Sequence, residues 1–194
     1  MNYILLGAAG FLLMHLLDLA SLKTLPLVKP ALALSGTSLV AGSAVMVAIS
    51  GERFSMPLSL ALLGWVLLAV SLVLMVRSLY VTLPFAKTYL APGTSGQLVT
   101  SGLYCLVRHP WLLFFSLTMV GLTVGSRSLL ALEAGVIWTT LSAALVYLQD
   151  RWVFPRMFPG YAEYQRRTPM LLPNKASISA FIEGLKQNKK VSEV

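Results

Sequence analysis

A chain of 194 residues with 57% hydrophobic and only 11% charged side chains cannot cover a soluble globule, which takes about 25% charged residues. Its formal charge of +8 does not point to nucleic acid, because that reading needs basic residues interleaved with aromatics on a solvated face. The single cysteine, Cys105, excludes an intramolecular disulfide and cannot alone build a cysteine metal site, so no metal is expected.

A bilayer core about 30 Å thick takes roughly 20 apolar residues in helical form. Three runs of that length open the chain: Tyr3 to Leu22, Ala31 to Ser50 and Pro57 to Val76, separated by LKTLPLVKP and GERFSM. The first lacks the basic start and the cleavage site of a signal peptide and is expected to be a retained helix. Within it His15 and Asp18 stand one turn apart, either satisfying each other or another helix, or serving substrate access or oligomer contacts.

Beyond Arg77 the stretch TLPFAKTYLAPGTSG reads as a loop at the membrane surface. Hydrophobicity resumes at Trp111 and continues to Tyr147, too far for one crossing. Gly125, Ser126, Arg127 and Ser128 in its middle predict a tight turn between two helices. Gly121 and Gly125, four apart, would let another helix backbone come close. From Asn174 the chain reads as a short surface helix and a frayed basic end, its lysines facing anionic lipid.

These elements predict an all-α polytopic membrane protein with about five crossings, a C-terminal helical hairpin and a short cytoplasmic tail. Residues 1–76 form three helices, 77–174 the functional region with the hairpin at 111–148, and 175–194 the tail. Five crossings put thirteen of the fifteen basic residues on one side and leave Arg53 and Arg127 on the other. Positive residues favour the cytoplasm, so the N terminus is expected outside and the C terminus inside.

The polar residues of interest then cluster on the cytoplasmic side in two stretches flanking the hairpin. The first, LVTSGLYCLVRHPW, has Gly102 for a turn, Arg108 and His109 as donors, and Pro110 to start a helix. Arginine beside a helix N terminus suits an anion, although Arg108 taken alone serves equally as a lipid-headgroup anchor, and His109 is similarly open. The second, QDRWVFPRMFPGYAEYQRRTPMLLP, ends the last crossing at Asp150 and Arg151 and sets Tyr161 and Tyr164 on one helical face. Aromatics at a membrane boundary are ordinarily interface anchors. Cys105 has no partner nearby and reads as a structural thiol.

Together, SGLYCLVRHP, a hydrophobic hairpin and YAEYQRRTPMLLP resemble the isoprenylcysteine carboxyl methyltransferase and phospholipid methyltransferase superfamily of integral membrane enzymes. The resemblance covers about residues 77–174. It implies an S-adenosylmethionine site in which Arg108 and His109 hold polar or carboxylate parts of the cofactor, Gly102 and Tyr104 shape a wall, and Tyr161 and Tyr164 close the pocket. Asp150 and Arg151 would take the catalytic place, with Asp150 orienting the acceptor or pairing with Arg151. Where the family commonly carries two adjacent glutamates this chain has Gln149 and Asp150, and Met157 to Gly160 replace its usual phenylalanine-glycine element. Trp111 also stands where a small or flexible residue is frequent.

The expected protein is thus a methyltransferase of a prokaryotic cell membrane acting on a lipophilic or membrane-entering acceptor: a prenylcysteine-like carboxylate, a phospholipid amine or a small thiol. Two alternatives compete. One is an NADPH-dependent sterol-type membrane reductase, and the other a non-catalytic lipid-binding subunit.

Overall fold

The computed structural model describes residues 1–22, 28–82 and 98–192, of which residues 18, 19, 21, 22 and 187–192 are described by their backbone alone. The surface loop expected after Arg77 lies, from residue 83, outside the described residues, as do Lys23, Lys87 and the last two residues. The side chain of Asp18, and with it the pairing to His15, also lies outside them.

Among the described residues the chain is helical, with no named strand. In order come α1 (Asn2–Leu22), α2 (Val28–Ser50), α3 (Leu58–Val76), a short turn α4 (Leu103–Leu106), α5 (Pro110–Ser126), α6 (Leu129–Leu148), the short α7 (Phe154–Met157), α8 (Tyr161–Arg167) and α9 (Lys175–Ser192). Three helical stretches are long and apolar enough to cross a membrane, Val28–Ser50, Leu58–Thr82 and Leu129–Met157, and shorter apolar stretches occupy Asn2–Leu17 and Pro110–Ser126. The helix expected to stop at Val76 instead runs on through a π-helical turn, Arg77–Thr82.

Why α3 belongs in lipid follows from what it leaves outside. Leu58, Leu62, Leu63, Val66, Val70 and Val73 are exposed, while Ala61, Gly64 and Ser71 are its buried residues. A helix apolar all round whose fully buried residues are all small is what hydrocarbon solvent selects, because lipid covers the large side chains and small ones let backbones approach. The seam is with α5, which runs antiparallel. A Cβ on Gly64 would lie 2.4 Å from Gly125 N, and one on Gly121 would lie 2.5 Å from Leu68 N. Thr118 Oγ1 donates to Ser71 Oγ across the same seam at 3.0 Å.

The α1–α2 pair uses the same device, since a Cβ on Gly10 would meet Gly36 O at 2.8 Å. Against α6, Gly7 makes room for the Trp138 ring, whose Nε1 donates to Ile4 O at 2.9 Å. Phe11 then packs edge-on against Phe115 with ring centroids 5.1 Å apart, so α1, α5 and α6 share one core.

The α5–α6 connection is the expected tight turn. Arg127 adopts a left-handed conformation, φ 55°, and Ser128 caps α6 by accepting from Ala131 N while donating to Val47 O at 2.7 Å. The α2–α3 link clamps this turn: Phe54 N donates to Arg127 O, Leu129 N to Glu52 O, and the Arg53 guanidinium to Ser126 O. Arg53 and Arg127 therefore sit together at one end of the bundle, and Arg77, Arg108 and Asp150 come at the other through the antiparallel runs of α3, α5 and α6. Tail residues Lys175–Ser192 form one continuous helix, longer than the short helix expected there.

Gly64→Ala should lower stability by about 1–3 kcal/mol, because its methyl group meets backbone rather than a movable side chain. Gly42→Ala, with nothing within 4 Å, should be neutral or stabilising. Thermal unfolding of the detergent-solubilised protein checks both, and an unchanged midpoint for Gly64→Ala would contradict the seam.

Candidate functional site

The site is built where two helices change pitch. One π-helical turn ends α3 at Arg77–Thr82 and another extends α6 at Gln149–Val153. Such turns insert an extra residue into the helical ladder, redirect side chains and recur at functional positions. The second turn carries Asp150 inward. Arg151, expected to act beside it, is exposed and does not line the cavity, because consecutive residues of a helical turn point in different directions.

Opposite lies the segment from Gly102 to Pro110. Gly102 holds φ 60° and ψ −132°, a conformation costly for a residue with a Cβ, and starts α4. It is exposed and does not line the cavity, whereas Tyr104, two residues on, is buried and does. Pro110 begins α5 at its first turn, as expected, with His109 just before it. The backbone of Arg108 and His109 runs beside the chain after α8: Arg108 N donates to Pro169 O at 2.9 Å, and His109 N to Met170 O at 3.2 Å.

Asp150 is where these segments meet. Its Oδ1 accepts from Arg108 Nε at 2.8 Å, Tyr161 OH at 2.6 Å and His109 Nε2 at 3.2 Å. Its Oδ2 accepts from Arg108 Nη2 at 2.7 Å and Gln165 Nε2 at 3.0 Å. The Arg108–Asp150 contact is thus a two-pronged ion pair, each side chain only 9% exposed. Nη1 of Arg108 donates to the carbonyls of Gln165 and Thr168, so that among the described residues one of the guanidinium's five N–H groups is uncommitted. The fork that the sequence offers to an external carboxylate is filled by the chain's own.

A second set of bonds ties this cluster to α3. Tyr164 OH donates to Tyr104 O at 2.5 Å, and Tyr104 OH donates to Ser78 O at 3.1 Å, reaching into the first π-helical turn. Burial raises the pKa of all three tyrosines, and the Asp150 carboxylate raises that of Tyr161 further, so all remain protonated donors. Burial likewise raises the Cys105 thiol, which donates to Gly102 O at 3.0 Å, in keeping with a structural role.

An apolar cavity opens beside the cluster. Arg108, His109, Tyr104, Tyr161 and Tyr164 line one side, and Phe11, Met14 and His15 of α1 line another. Aromatic rings continue the wall: Phe154 stacks on His109 with centroids 5.6 Å apart, and Tyr161 meets Tyr164 edge-on at 5.8 Å. Of the residues expected at the site, the structure brings Tyr104, Arg108, His109, Asp150, Tyr161 and Tyr164 together. It adds Gln165, one turn beyond Tyr161 on the same face and legible from that spacing. It also adds Phe154 and Ser78, for which the sequence carries no comparable signal. Among the described residues no group of three or more His, Cys, Asp or Glu side chains could hold a metal ion.

Comparison with known proteins finds partial matches. Over 86 residues the chain is 34% identical to the cobalt-zinc-cadmium resistance protein CzcN of Cupriavidus metallidurans, which covers 44% of this chain and 39% of that protein. Over 86 residues it is 31% identical to the nickel-cobalt-cadmium resistance protein NccN of Alcaligenes xylosoxydans xylosoxydans, covering 44% and 40%. The match spans about two fifths of the length of these curated relatives. No family model matches the chain, and no solved structure matches it.

Removing the Asp150 charge leaves the Arg108 cation enclosed without a counter-ion. Asp150→Asn should cost about 3 kcal/mol or more, and the paired change Arg108→Met with Asp150→Leu should recover much of that loss. Thermal unfolding of the three proteins decides; equal losses in the single and paired variants would contradict an ion-pair origin. Burial, outweighing the Asp150 carboxylate, lowers the pKa of His109. Below about 6.5 the unfolded chain therefore binds a proton that the folded one refuses, and stability falls as the pH falls through that region. Midpoints measured from about pH 7.5 to 5 should drop more steeply for the native protein than for His109→Gln, and parallel curves would contradict the assignment.

Proposed function

We propose that this chain is a five-span methyltransferase of a prokaryotic cell membrane, using S-adenosylmethionine to methylate a lipophilic acceptor at the cytoplasmic face. The observation that carries the reading is the convergence of Arg108, His109, Tyr161 and Gln165 on Asp150 beside one aromatic-walled cavity. Two motif segments on either side of the α5–α6 pair thereby form a single site, as the resemblance implies. In this reading α1 and α5 join the three longer apolar stretches as crossings. The bundle end holding Arg108 and Asp150 faces the cytoplasm, which carries the excess of basic residues.

The cavity suits such a cofactor in its walls. Flat aromatic faces at Tyr161, Tyr164 and Phe154 accept an adenine ring and favour a cationic sulfur. Tyr104 and His109 border the same space. When bound, the cofactor supplies an electrophilic methyl group, whose transfer depends mainly on alignment and exclusion of water. Arg108 and Asp150 then act as positioning residues: they fix the tyrosine wall and the start of α5, and Arg108 meets an anion through its one remaining N–H and its charge. Asp150, already accepting from five donor groups, is not placed to serve as a general base.

The two partial matches, named for resistance to cobalt, zinc and cadmium and to nickel, cobalt and cadmium, favour a second reading, a part in resistance to such metals.

Calorimetric titration of the detergent-purified protein with S-adenosylmethionine, and with NADPH as comparison, tests the reading. Binding in the micromolar range is expected for S-adenosylmethionine. Tyr161→Phe, which keeps the ring, should weaken it less than tenfold, and Tyr161→Ala tenfold or more. Absence of binding by well-folded protein would overturn the reading, and preference for NADPH would put a membrane reductase in its place.

A further inference from the structure

The cavity has a second polar element on α1, outside both motif segments. His15 lines it with Phe11 and Met14, as His109 does from the start of α5. Its Nδ1 lies 2.8 Å from Phe11 O. A carbonyl oxygen can only accept, so the ring carries its proton on Nδ1. Nε2, the other ring nitrogen, is then a bare lone pair. It is buried and has no hydrogen-bond partner among the described residues. A protonated Nε2 there would be an enclosed cation with an unmet donor, costlier still than an unmet acceptor.

We infer that His15 Nε2 is the hydrogen-bond acceptor for the ligand of this cavity, selecting an apolar molecule that ends in an O–H, N–H or S–H donor. This deepens the reading above by naming its acceptor class, and it rests on that reading's placing of methyl transfer at this cavity, the aromatic wall taking the cofactor and the α1 side the acceptor. An alcohol, a neutral amine or a thiol completes the His15 bond. A carboxylate does not, because at His15 it sets lone pair against lone pair, and Arg108, its two-pronged face filled by Asp150, offers one N–H rather than a fork. Leu17, Trp111 and Phe158 supply apolar surface for the body of the ligand.

The chain has two histidines, so labelling the rings with nitrogen-15 gives two sets of signals, which a His15→Phe variant assigns. The protein in lipid nanodiscs, without cofactor, is titrated with 1-decanol, with decanoate as the matched anion and decane as the apolar control. The His15 Nε2 resonance should start at a bare-nitrogen position, move toward the hydrogen-bonded range with decanol, and stay with decanoate and decane. His15→Phe should weaken decanol binding about tenfold and leave decane binding unchanged. An Nε2 already protonated or bonded before ligand is added, no movement at saturating decanol, or equal movement with decanoate overturns the inference. So does an equal loss of decanol and decane binding in the variant. Should His15→Phe fail to fold, the native spectrum decides, with His109→Gln used for assignment. The cofactor titration is separate. A decanol response in protein that does not bind S-adenosylmethionine removes methyl transfer alone, and cofactor binding with a silent His15 removes this inference alone.

Discussion

A carboxylate enclosed at the end of a membrane bundle, with a guanidinium gripping both its oxygens, constrains everything around it. Asp150 lies 42 residues from Arg108 in sequence, and an entire helical pair separates them. Their contact obliges α5 and α6 to bring their ends together, and the contacts of Tyr161 and Gln165 draw α8 over the top. Neither charge tolerates burial without the other, which gives the arrangement its specificity. Net stability need not be what the pair contributes; a well-packed apolar replacement could be as stable while losing the polar wall of the cavity.

The rest of the bundle supplies rigid support for that cluster. Small residues let α3 approach α5, and α1 approach α2, closely enough to fix position without large interlocking side chains. The clamp of residues 52–54 on the Arg127 turn holds the opposite end. Within this frame two π-helical turns do the local aiming: one swings Asp150 inward, and the other offers Ser78 O to Tyr104. The cavity then lies between a polar wall held by hydrogen bonds and an α1 wall that is apolar apart from His15, an arrangement suited to a ligand that is mostly hydrocarbon.

Much of this was legible in the sequence for definite reasons. Apolar runs of about 20 residues announce their helices by length alone, and Gly125 to Ser128 announce the turn. The SGLYCLVRHP segment and the Tyr161–Tyr164 pair point to most of the residues that the structure gathers. The partner of Arg108 was not legible, because a basic residue beside a helix N terminus looks the same whether it awaits a ligand or an internal carboxylate. The π-helical turns were invisible too, since one extra residue leaves the apolar pattern almost unchanged and yet decides that Asp150 points inward and Arg151 outward. His15 could be flagged as an ionisable group in an apolar helix, but only the structure shows which ring nitrogen is committed and which cavity it lines.

One ion pair thus holds two distant segments as a single unit. Hydrogen–deuterium exchange on the native protein and Asp150→Asn in the same detergent tests this most directly. Protection should fall together over residues 103–112 and 161–170 in the variant, while α2 and α3 away from the site keep theirs. Loss confined to one of the two segments, or protection unchanged in both, would contradict the account.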